Sequence, residues 1–310
     1  MKKTKIVIAG IGGVGGYFGG LLAKEFYTSD QVNISFLARG EHLKAIQNNG
    51  LKLIHGENEL VVKPHLVTDN PEEIGIADYI ILCTKSYDLE TTIKELKSCI
   101  NKDTLILPLL NGVNSREKIQ NYLPENMVLD GCVYIVSKIK EAGLIEISGS
   151  LQTLFFGHDT IENEKLTSLQ NIFKQANIEA SLSKSISSIM WEKFIFISPT
   201  ATATSYFDCS IGALVADDEK LKVVSLLINE IIKIARAKEI ILAPDIFEKT
   251  VNKLKAFPFE ATSSMHRDFQ NNKKQTELEL FTGYVVSTSK QRNIETPTYK
   301  KIHQALKNKS

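Results

Sequence analysis

The stretch that decides the fold is Lys5–Gly20, KIVIAGIGGVGGYFGG. It opens with the short apolar run Ile6–Ala9, which is typical of a strand buried on both faces. A Gly-x-Gly-x-x-Gly pattern follows at once, and its glycines permit a tight turn, close approach of a pyrophosphate and close helix–strand packing. The stretch therefore predicts a dinucleotide-binding loop, rather than an ordinary glycine turn, over Gly10, Ile11, Gly12, Gly13, Val14 and Gly15.

The composition is that of a sizeable and nearly neutral globular protein. Of the 310 residues, 43% are hydrophobic, and 37 Lys and Arg balance 36 Asp and Glu. A general nucleic-acid binder usually shows a basic excess, so this balance argues against one. The sequence shows no apolar run long enough to span a bilayer, which argues against a membrane protein. A cytoplasmic protein with free thiols is expected, because no C-x-x-C pair occurs among Cys83, Cys99, Cys132 and Cys209.

The residue that follows the predicted second strand, Val32–Ala38, indicates the cofactor. In a dinucleotide-binding fold the end of this strand meets the adenosine ribose. A carboxylate there would bind the 2′-hydroxyl of NAD, whereas a cation suits the 2′-phosphate of NADP. Arg39 stands at this position and therefore predicts NADP(H), the alternative being a solvated surface arginine.

Strands alternate with helices through the first half of the chain. Further strands are predicted at Asp78–Thr84, Thr104–Leu110 and Met127–Val136, with a helix at Leu89–Cys99. This alternation predicts a doubly wound, mainly parallel sheet, in which ligands lie beyond the carboxyl ends of the strands. The candidate ligand-binding residues at such ends are Gly10, Arg39, Lys85 and Asn111.

The remaining pattern divides the chain into two domains. A hairpin is predicted from Leu51–Ile54 and Leu60–Val67, and two antiparallel strands from Leu144–Ile147 and Leu151–Gly157. From about Ser185 the pattern becomes helical. The predicted class is α/β, with an N-terminal Rossmann-type doubly wound sheet at residues 1–183 and a C-terminal all-helical domain at residues 184–310.

Two charged residues of the helical half are candidates for chemistry, each with a plainer alternative. Lys193 shares a helical face with Ile189 and Ile197, so it is either desolvated, with a lowered pKa that suits a proton donor, or reaches solvent along the helix. Glu277 lies in the first turn of a predicted helix, where a carboxylate also serves the helix dipole. His266 has no partner at metal-ligand spacing, so no metal is predicted.

Several motifs match those of one protein family in their order and spacing, along nearly the whole chain. The chain resembles the ketopantoate reductase (2-dehydropantoate 2-reductase) family. The matching motifs are the Gly10–Gly15 loop, Arg39-Gly40, Thr84-Lys85, Leu110-Asn111-Gly112, Trp191-Glu192-Lys193-Phe194, Ser263-Ser264-Met265 and Thr276-Glu277.

The resemblance implies NADPH-dependent reduction of 2-dehydropantoate to pantoate, on the route to pantothenate and coenzyme A. It implies that Lys193 donates a proton to the keto oxygen and that Glu277 is a second catalytic residue. Ser263, Ser264, Lys193 and Glu277 correspond to substrate-binding residues, and Lys85 and Asn111 to cofactor contacts near the nicotinamide. The expected partner is a small 2-keto acid, and a homodimer is the assembly considered.

The chain departs from the family pattern in its substrate half. Ile197 and Ala201 stand where family members carry asparagines, and a further pocket asparagine is replaced near Ile211-Gly212. The spacing from Asp268 to Glu277 is one residue longer than the family pattern. Two alternatives therefore stay open: a reductase of a less polar keto substrate, and a non-catalytic NADP-binding sensor.

Overall fold

The structure is a computed structural model that describes residues 3–309. It divides into two compact units. The first contains the described chain up to Leu110 together with Asn114–Ile186, and the second contains Asn111–Val113 and the described chain from Ser187 onward. The predicted domain limit at residues 183 and 184 lies just before the division at Ile186.

The secondary structure follows the predicted order of elements. The strands within residues 3–309 are β1 (Thr4–Ala9), β2 (Val32–Leu37), β3 (Leu51–His55), β4 (Asn58–Val62), β5 (Leu66–Thr68), β6 (Tyr79–Leu82), β7 (Leu105–Pro108), β8 (Asp130–Glu141), β9 (Leu144–Gly157) and β10 (Glu179–Ser183). The α-helices are α1 (Gly13–Phe26), α2 (Gly40–Asn49), α3 (Leu89–Glu95), α4 (Ser115–Tyr122), α5 (Glu164–Gln175), α6 (Ile186–Phe207), α7 (Ile211–Val215), α8 (Asp218–Ala237), α9 (Ile246–Lys255), α10 (Ser264–Gln270), α11 (Tyr284–Gln291) and α12 (Pro297–Lys307). Short 3₁₀ turns occupy Pro71–Glu73, Ser86–Asp88 and Leu96–Cys99, and a π-helical segment occupies Glu279–Gly283.

The first unit is built on a five-stranded parallel sheet in the order β5-β2-β1-β6-β7. In chain order its strands run 3-2-1-4-5, which is the Rossmann arrangement. β1 lies at the centre, where Ile6 and Ala9 are fully buried, as an apolar strand covered on both faces must be. The predicted class, a Rossmann-type sheet followed by a helical domain, is confirmed.

A second sheet of the first unit corrects two strand predictions. It has the order β10-β9-β3-β4, with β8 also paired to β9. The predicted strand Leu60–Val67 is two strands in different sheets, because Pro64 lacks the N–H that a continuous ladder needs. The two strands predicted at Leu144–Ile147 and Leu151–Gly157 are one strand, β9, whose pairing with β8 skips residues 149–152.

Helix α1 lies between the two sheets, and its glycines make this possible. A Cβ added at Gly19 would lie 3.1 Å from the Ile8 side chain of the parallel sheet. A Cβ at Gly16, on another face of the helix, would lie 2.6 Å from Ile145 of the second sheet. Small residues on two faces therefore let one helix pack closely against both sheets.

The second unit is helical and has its own apolar core. The core residues of α6 include Trp191 and Phe194, which pack edge to face with ring centroids 5.7 Å apart. Helix α8 begins at an N-cap, Asp217, whose carboxylate accepts hydrogen bonds from two backbone N–H groups. Within residues 3–309, no helix combines the length and the apolar character that a membrane span requires.

Candidate active site

A groove of about 240 Å³ lies where β1, β2 and β6 end in the first unit. This is the place at which a parallel α/β sheet binds its ligands. Its lining residues are Gly10, Ile11, Gly12, Leu37, Ala38, Arg39, His42, Thr84, Asp88, Thr92 and Ile139. Four of the predicted cofactor-binding residues are therefore gathered in one groove, namely Gly10, Ile11, Gly12 and Arg39.

Gly10 and Gly15 hold the loop against the sheet. Gly10 has a φ of +91°, and a Cβ there would lie 2.9 Å from the backbone nitrogen of Thr84. A Cβ at Gly15 would lie 2.1 Å from the carbonyl oxygen of Gly10. Both positions therefore exclude any side chain, the first by backbone conformation and close approach, the second by close approach alone.

Gly12 differs from its neighbours because the space beside it is open. It is the N-cap residue of α1, and an added Cβ would have no atom within 4 Å. At Gly13, by contrast, a Cβ would lie 2.5 Å from the carbonyl oxygen of Ser137, so Gly13 serves packing against β8. Val14 packs on the core of the first unit. Gly12 is therefore the position at which a phosphate can approach the loop backbone and the N-terminus of α1.

Two polar side chains that were not predicted as site residues line the same groove. The Oγ1 atom of Thr84 is buried and has no hydrogen-bond partner among the described residues. His42 accepts a hydrogen bond at Nδ1 from the Gly143 backbone N–H, at 2.9 Å. Burial lowers the pKa of His42, while the Ile11 carbonyl acts in the opposite direction. The groove therefore contains a histidine whose neutral form is favoured by burial, and a hydroxyl without a partner that could donate a hydrogen bond to a ligand.

Arg39 lies at the end of β2 and is the N-cap residue of α2. Its guanidinium is paired with the carboxylate of Glu95, the last residue of α3. The two side chains are 58% and 38% exposed, so a ligand in the groove can reach them. Lys85 directly follows Thr84, is exposed, and begins the 3₁₀ turn at Ser86–Asp88.

In the second unit the structure brings together two predicted site residues that are distant in the sequence. Lys193 is half-buried on α6, and its Nζ donates to the Oδ1 of Asn111 over 3.3 Å. Asn111 lies three residues after the end of β7 and directly follows Leu110 of the first unit, yet it belongs with the second unit. A predicted proton donor and a predicted cofactor contact are therefore in direct contact.

Glu277 is only 3% exposed and stands just before the π-helical segment Glu279–Gly283. Single π-helical turns inside α-helical regions are frequent at functional sites. The hydroxyl of Ser198, on α6, donates to the carbonyl of Phe281 in this segment at 3.2 Å. The segment is thus tied to the helix that carries Lys193.

The two predicted substrate serines occupy the start of α10. Ser263 is its N-cap residue, and its Oγ accepts from the backbone N–H of His266 at 3.0 Å. The same oxygen lies 2.8 Å from the Oγ1 of Thr204, a residue of α6. Ser264 is the first residue of α10 and is half-buried. The structure therefore gives Ser263 a capping role and leaves the substrate role of both serines a prediction.

Where family members carry asparagines, this chain has apolar residues that belong to the helical core. Ala201 is 2% exposed, and Ile197 packs on the same core while remaining half-buried. The hydroxyl of Thr200 donates to the Phe196 carbonyl at 2.6 Å, and that of Thr202 is 2.9 Å from the Thr282 hydroxyl. The hydroxyls of Thr200 and Thr202 are therefore paired inside the protein, whereas the buried Oγ of Ser205, also on α6, has no partner among the described residues.

Two models of one family match this chain. The first, described as ketopantoate reductase PanE/ApbA, matches residues 6–159. The second, described as the C-terminal part of ketopantoate reductase PanE/ApbA, matches residues 185–310. The chain belongs to the ketopantoate reductase family.

Individual relatives agree with the family models. The crystal structure of 2-dehydropantoate 2-reductase from Porphyromonas gingivalis W83 has a TM-score of 0.87 and 33% identity, covering 98% of this chain and 99% of that one. The 2-dehydropantoate 2-reductase of Streptococcus pyogenes serotype M1 is 27% identical over 292 residues, covering 94% of this chain and 93% of the relative. The uncharacterized oxidoreductase YkpB of Bacillus subtilis (strain 168) is 26% identical over 303 residues, covering 97% of each chain. The protein is an oxidoreductase of the ketopantoate reductase type, acting on a CH–OH group.

Sequence reasoning missed three polar residues at or beside the groove of this ketopantoate reductase-family chain. Thr84 was read as part of a strand-end motif, and its buried hydroxyl was not considered. His42 follows Arg39 by three positions, in the first turn of α2, and that spacing was the available signal. Glu95 had no signal in the sequence, because its partner Arg39 lies 56 positions away.

Proposed function

We propose that this chain is a cytoplasmic, NADPH-dependent reductase that converts 2-dehydropantoate to pantoate, with pantothenate and coenzyme A as the downstream products. The NADPH part of this proposal rests on the groove, in which the open space at Gly12 lies near the positively charged Arg39. The substrate half is supported by the names of relatives such as the enzyme of P. gingivalis. A homodimer stays a prediction.

The groove fits NADPH in three respects. The open side of Gly12 leaves room for a pyrophosphate at the N-terminus of α1, where free N–H groups favour an anion. The Arg39 guanidinium can pair with a 2′-phosphate. The Thr84 hydroxyl would gain the partner that it lacks. When bound, the cofactor would supply a hydride to the substrate's keto carbon.

Lys193 is the proposed proton donor. As a carbonyl is reduced, its oxygen develops negative charge, and a nearby ammonium stabilises that charge and then protonates it. The hydrogen bond from Nζ to Asn111 restricts where the ammonium can point. A positioned general acid contributes about 10²–10⁴-fold to the rate. The neutral amine left behind takes its next proton from solvent.

Glu277 and the serines at the start of α10 are proposed to hold the substrate. A buried carboxylate such as that of Glu277 can accept a hydrogen bond from a substrate hydroxyl. Ser264, with Ser263, would contact the substrate carboxylate. Because the side chains of Ile197 and Ala201 form no hydrogen bonds, Glu277 and the two serines would make most of the hydrogen bonds to the substrate.

NADPH oxidation with a panel of 2-keto acids tests the proposal. We expect 2-dehydropantoate to give the highest kcat/KM of the panel, with turnover lost in Lys193→Ala. A higher kcat/KM for an aliphatic or aromatic keto compound without the hydroxyl would contradict the substrate assignment. NADPH binding without oxidation by any member of the panel would contradict the enzymatic assignment and favour a sensor.

One observation favours a second candidate function, reduction of a less polar keto substrate. Ile197 is a half-buried apolar residue at a position where family members carry an amide. An apolar side chain there would favour an alkyl or aryl group over a hydroxyl, by burying apolar surface. In the panel of 2-keto acids, the first function predicts the highest kcat/KM for 2-dehydropantoate, and the second predicts it for a less polar keto compound.

A further inference from the structure

The cation that would recognise the 2′-phosphate already has an anionic partner. The Nη2 of Arg39 is hydrogen-bonded to the Oε2 of Glu95, and the pair joins the start of α2 to the end of α3. Both side chains are partly exposed, and Arg39 lines the groove. An incoming nucleotide therefore meets an ion pair at this end of the groove.

A 2′-phosphate and the Glu95 carboxylate compete for the same Arg39 guanidinium. A guanidinium presents five N–H donors in a fixed fork, and a phosphate is held best when two parallel donors face it. Glu95 occupies one of these donors and adds a negative charge beside the place where the phosphate would bind. The phosphate must share the guanidinium with a carboxylate or displace it, and an exposed ion pair is weak enough to be displaced.

A 2′-hydroxyl, unlike a 2′-phosphate, benefits from a nearby carboxylate that can accept its hydrogen bond. Sites for NAD place a carboxylate where it can accept a hydrogen bond from the ribose hydroxyl, usually at the end of the second strand. In this chain that strand end carries Arg39, and the carboxylate arrives from α3 instead. The pair therefore offers a partner to either form of the ribose.

We propose that Glu95 is a specificity-determining residue that limits the preference of this enzyme for NADPH over NADH by engaging Arg39. The proposal rests on the cofactor part of the proposed function. Arg39 recognises the phosphate, and Glu95 sets the size of the preference for NADPH over NADH.

Glu90 provides a matched control on the same helix. Its carboxylate is paired with Lys94 at 2.8 Å, and it is absent from the groove lining. Glu90→Gln and Glu95→Gln therefore remove the same charge from α3, but only the second removes it from Arg39. Asp88→Asn is a third variant that removes a groove-lining carboxylate while leaving the ion pair between Arg39 and Glu95 in place, so it should change the ratio of the two Kd values less than Glu95→Gln does.

The experiment measures the Kd of NADPH and of NADH for the full chain by fluorescence titration at fixed salt. In Glu95→Gln we expect the ratio Kd(NADH)/Kd(NADPH) to rise by about 3- to 10-fold, in line with loss of an exposed ion pair and its charge. Glu90→Gln should stay within about twofold of the wild-type ratio. In an Arg39→Ala background, the effect of Glu95→Gln should shrink.

Three results would overturn the proposal: an unchanged ratio in Glu95→Gln, weaker NADPH binding in that variant, or the full effect persisting without Arg39. Weaker binding would mean that Glu95 presents Arg39 to the phosphate. If both cofactors bind and the ratio does not move, only the role of Glu95 fails. If neither cofactor binds the wild type, the proposed function fails with it.

Discussion

The glycine loop of the first unit and the Lys193 region of the second unit are both candidate functional regions, but they are built differently. The loop is six consecutive residues, and its glycines lie close to Cys83 and Thr84, just after β6, and to Ser137 of β8. The other region joins Lys193 of α6 to Asn111, three residues after β7, and the same helix contacts the π-helical segment through Ser198. A site made from one local motif can be read from the sequence, whereas a dispersed site cannot.

The two regions also differ in how their hydroxyl groups are satisfied. In the groove, the Thr84 hydroxyl is buried without a partner among the described residues, which costs about 1–3 kcal/mol until a ligand pairs with it. On α6, the hydroxyls of Ser198 and Thr202 are paired within the protein. The Thr84 hydroxyl is therefore able to pair with a ligand, whereas those of Ser198 and Thr202 already join α6 to the chain around Phe281 and Thr282.

The largest expected effect concerns Lys193. Lys193→Ala should lower kcat by about 10²-fold or more, because it removes an interaction that strengthens in the transition state. The Kd of NADPH should stay nearly unchanged. Steady-state kinetics and a cofactor titration measure the two effects, with Lys233→Ala, at an exposed position on α8, as the control. Near-normal turnover in Lys193→Ala would make the lysine structural.

The second prediction separates two glycines within the loop. Gly15→Ala should lower the free energy of unfolding by about 3 kcal/mol, since its Cβ meets the Gly10 carbonyl oxygen at 2.1 Å. Gly12→Ala should leave thermal stability nearly unchanged, because the space beside it is open, and should weaken NADPH binding. Denaturant unfolding and cofactor titration of both variants provide the test. Equal losses of stability would contradict the assignment of Gly12 to the ligand.

The third prediction tests the cofactor end of the groove. Arg39→Ala should weaken NADPH binding by about 2 kcal/mol, roughly 30-fold, through loss of a charge-assisted contact. NADH binding should change little, because a neutral hydroxyl gains little from a guanidinium. Titration of the wild type and of Arg39→Ala with each cofactor measures both changes in binding. If Arg39→Ala binds NADPH as tightly as the wild type does, Arg39 does not recognise the phosphate.

The smallest expected effect lies in the substrate half. Ile197→Asn should raise kcat/KM for 2-dehydropantoate several-fold, because the half-buried position can offer the substrate an amide, and one hydrogen bond contributes about 0.5–1.5 kcal/mol. Adding Ala201→Asn should cost about 1–3 kcal/mol of stability by overpacking the core. A stable Ile197→Asn variant with no gain would mean that other residues bind the substrate.

Much of the first unit was predictable because its signals are local. The apolar run Ile6–Ala9 and the glycines after it depend on residues within one strand, one turn and one helix, so sequence spacing carries them. The position of Arg39 follows from the end of β2 in the same way. The prediction failed at Leu60–Val67, where Pro64 was an overlooked local signal, and at β9, whose two ends also pair with β3 and β10 of the same sheet.

The sequence by itself determined the Rossmann-type sheet, the helical half and the identity of the candidate charged residues, because hydrophobic periodicity and glycine spacing are properties of neighbouring residues. Only the tertiary structure decided which residues those charged groups contact. It paired Arg39 with Glu95 and Lys193 with Asn111, and it enclosed the Thr84 hydroxyl without a partner. Such contacts join residues on different elements, so they exist only after those elements have packed.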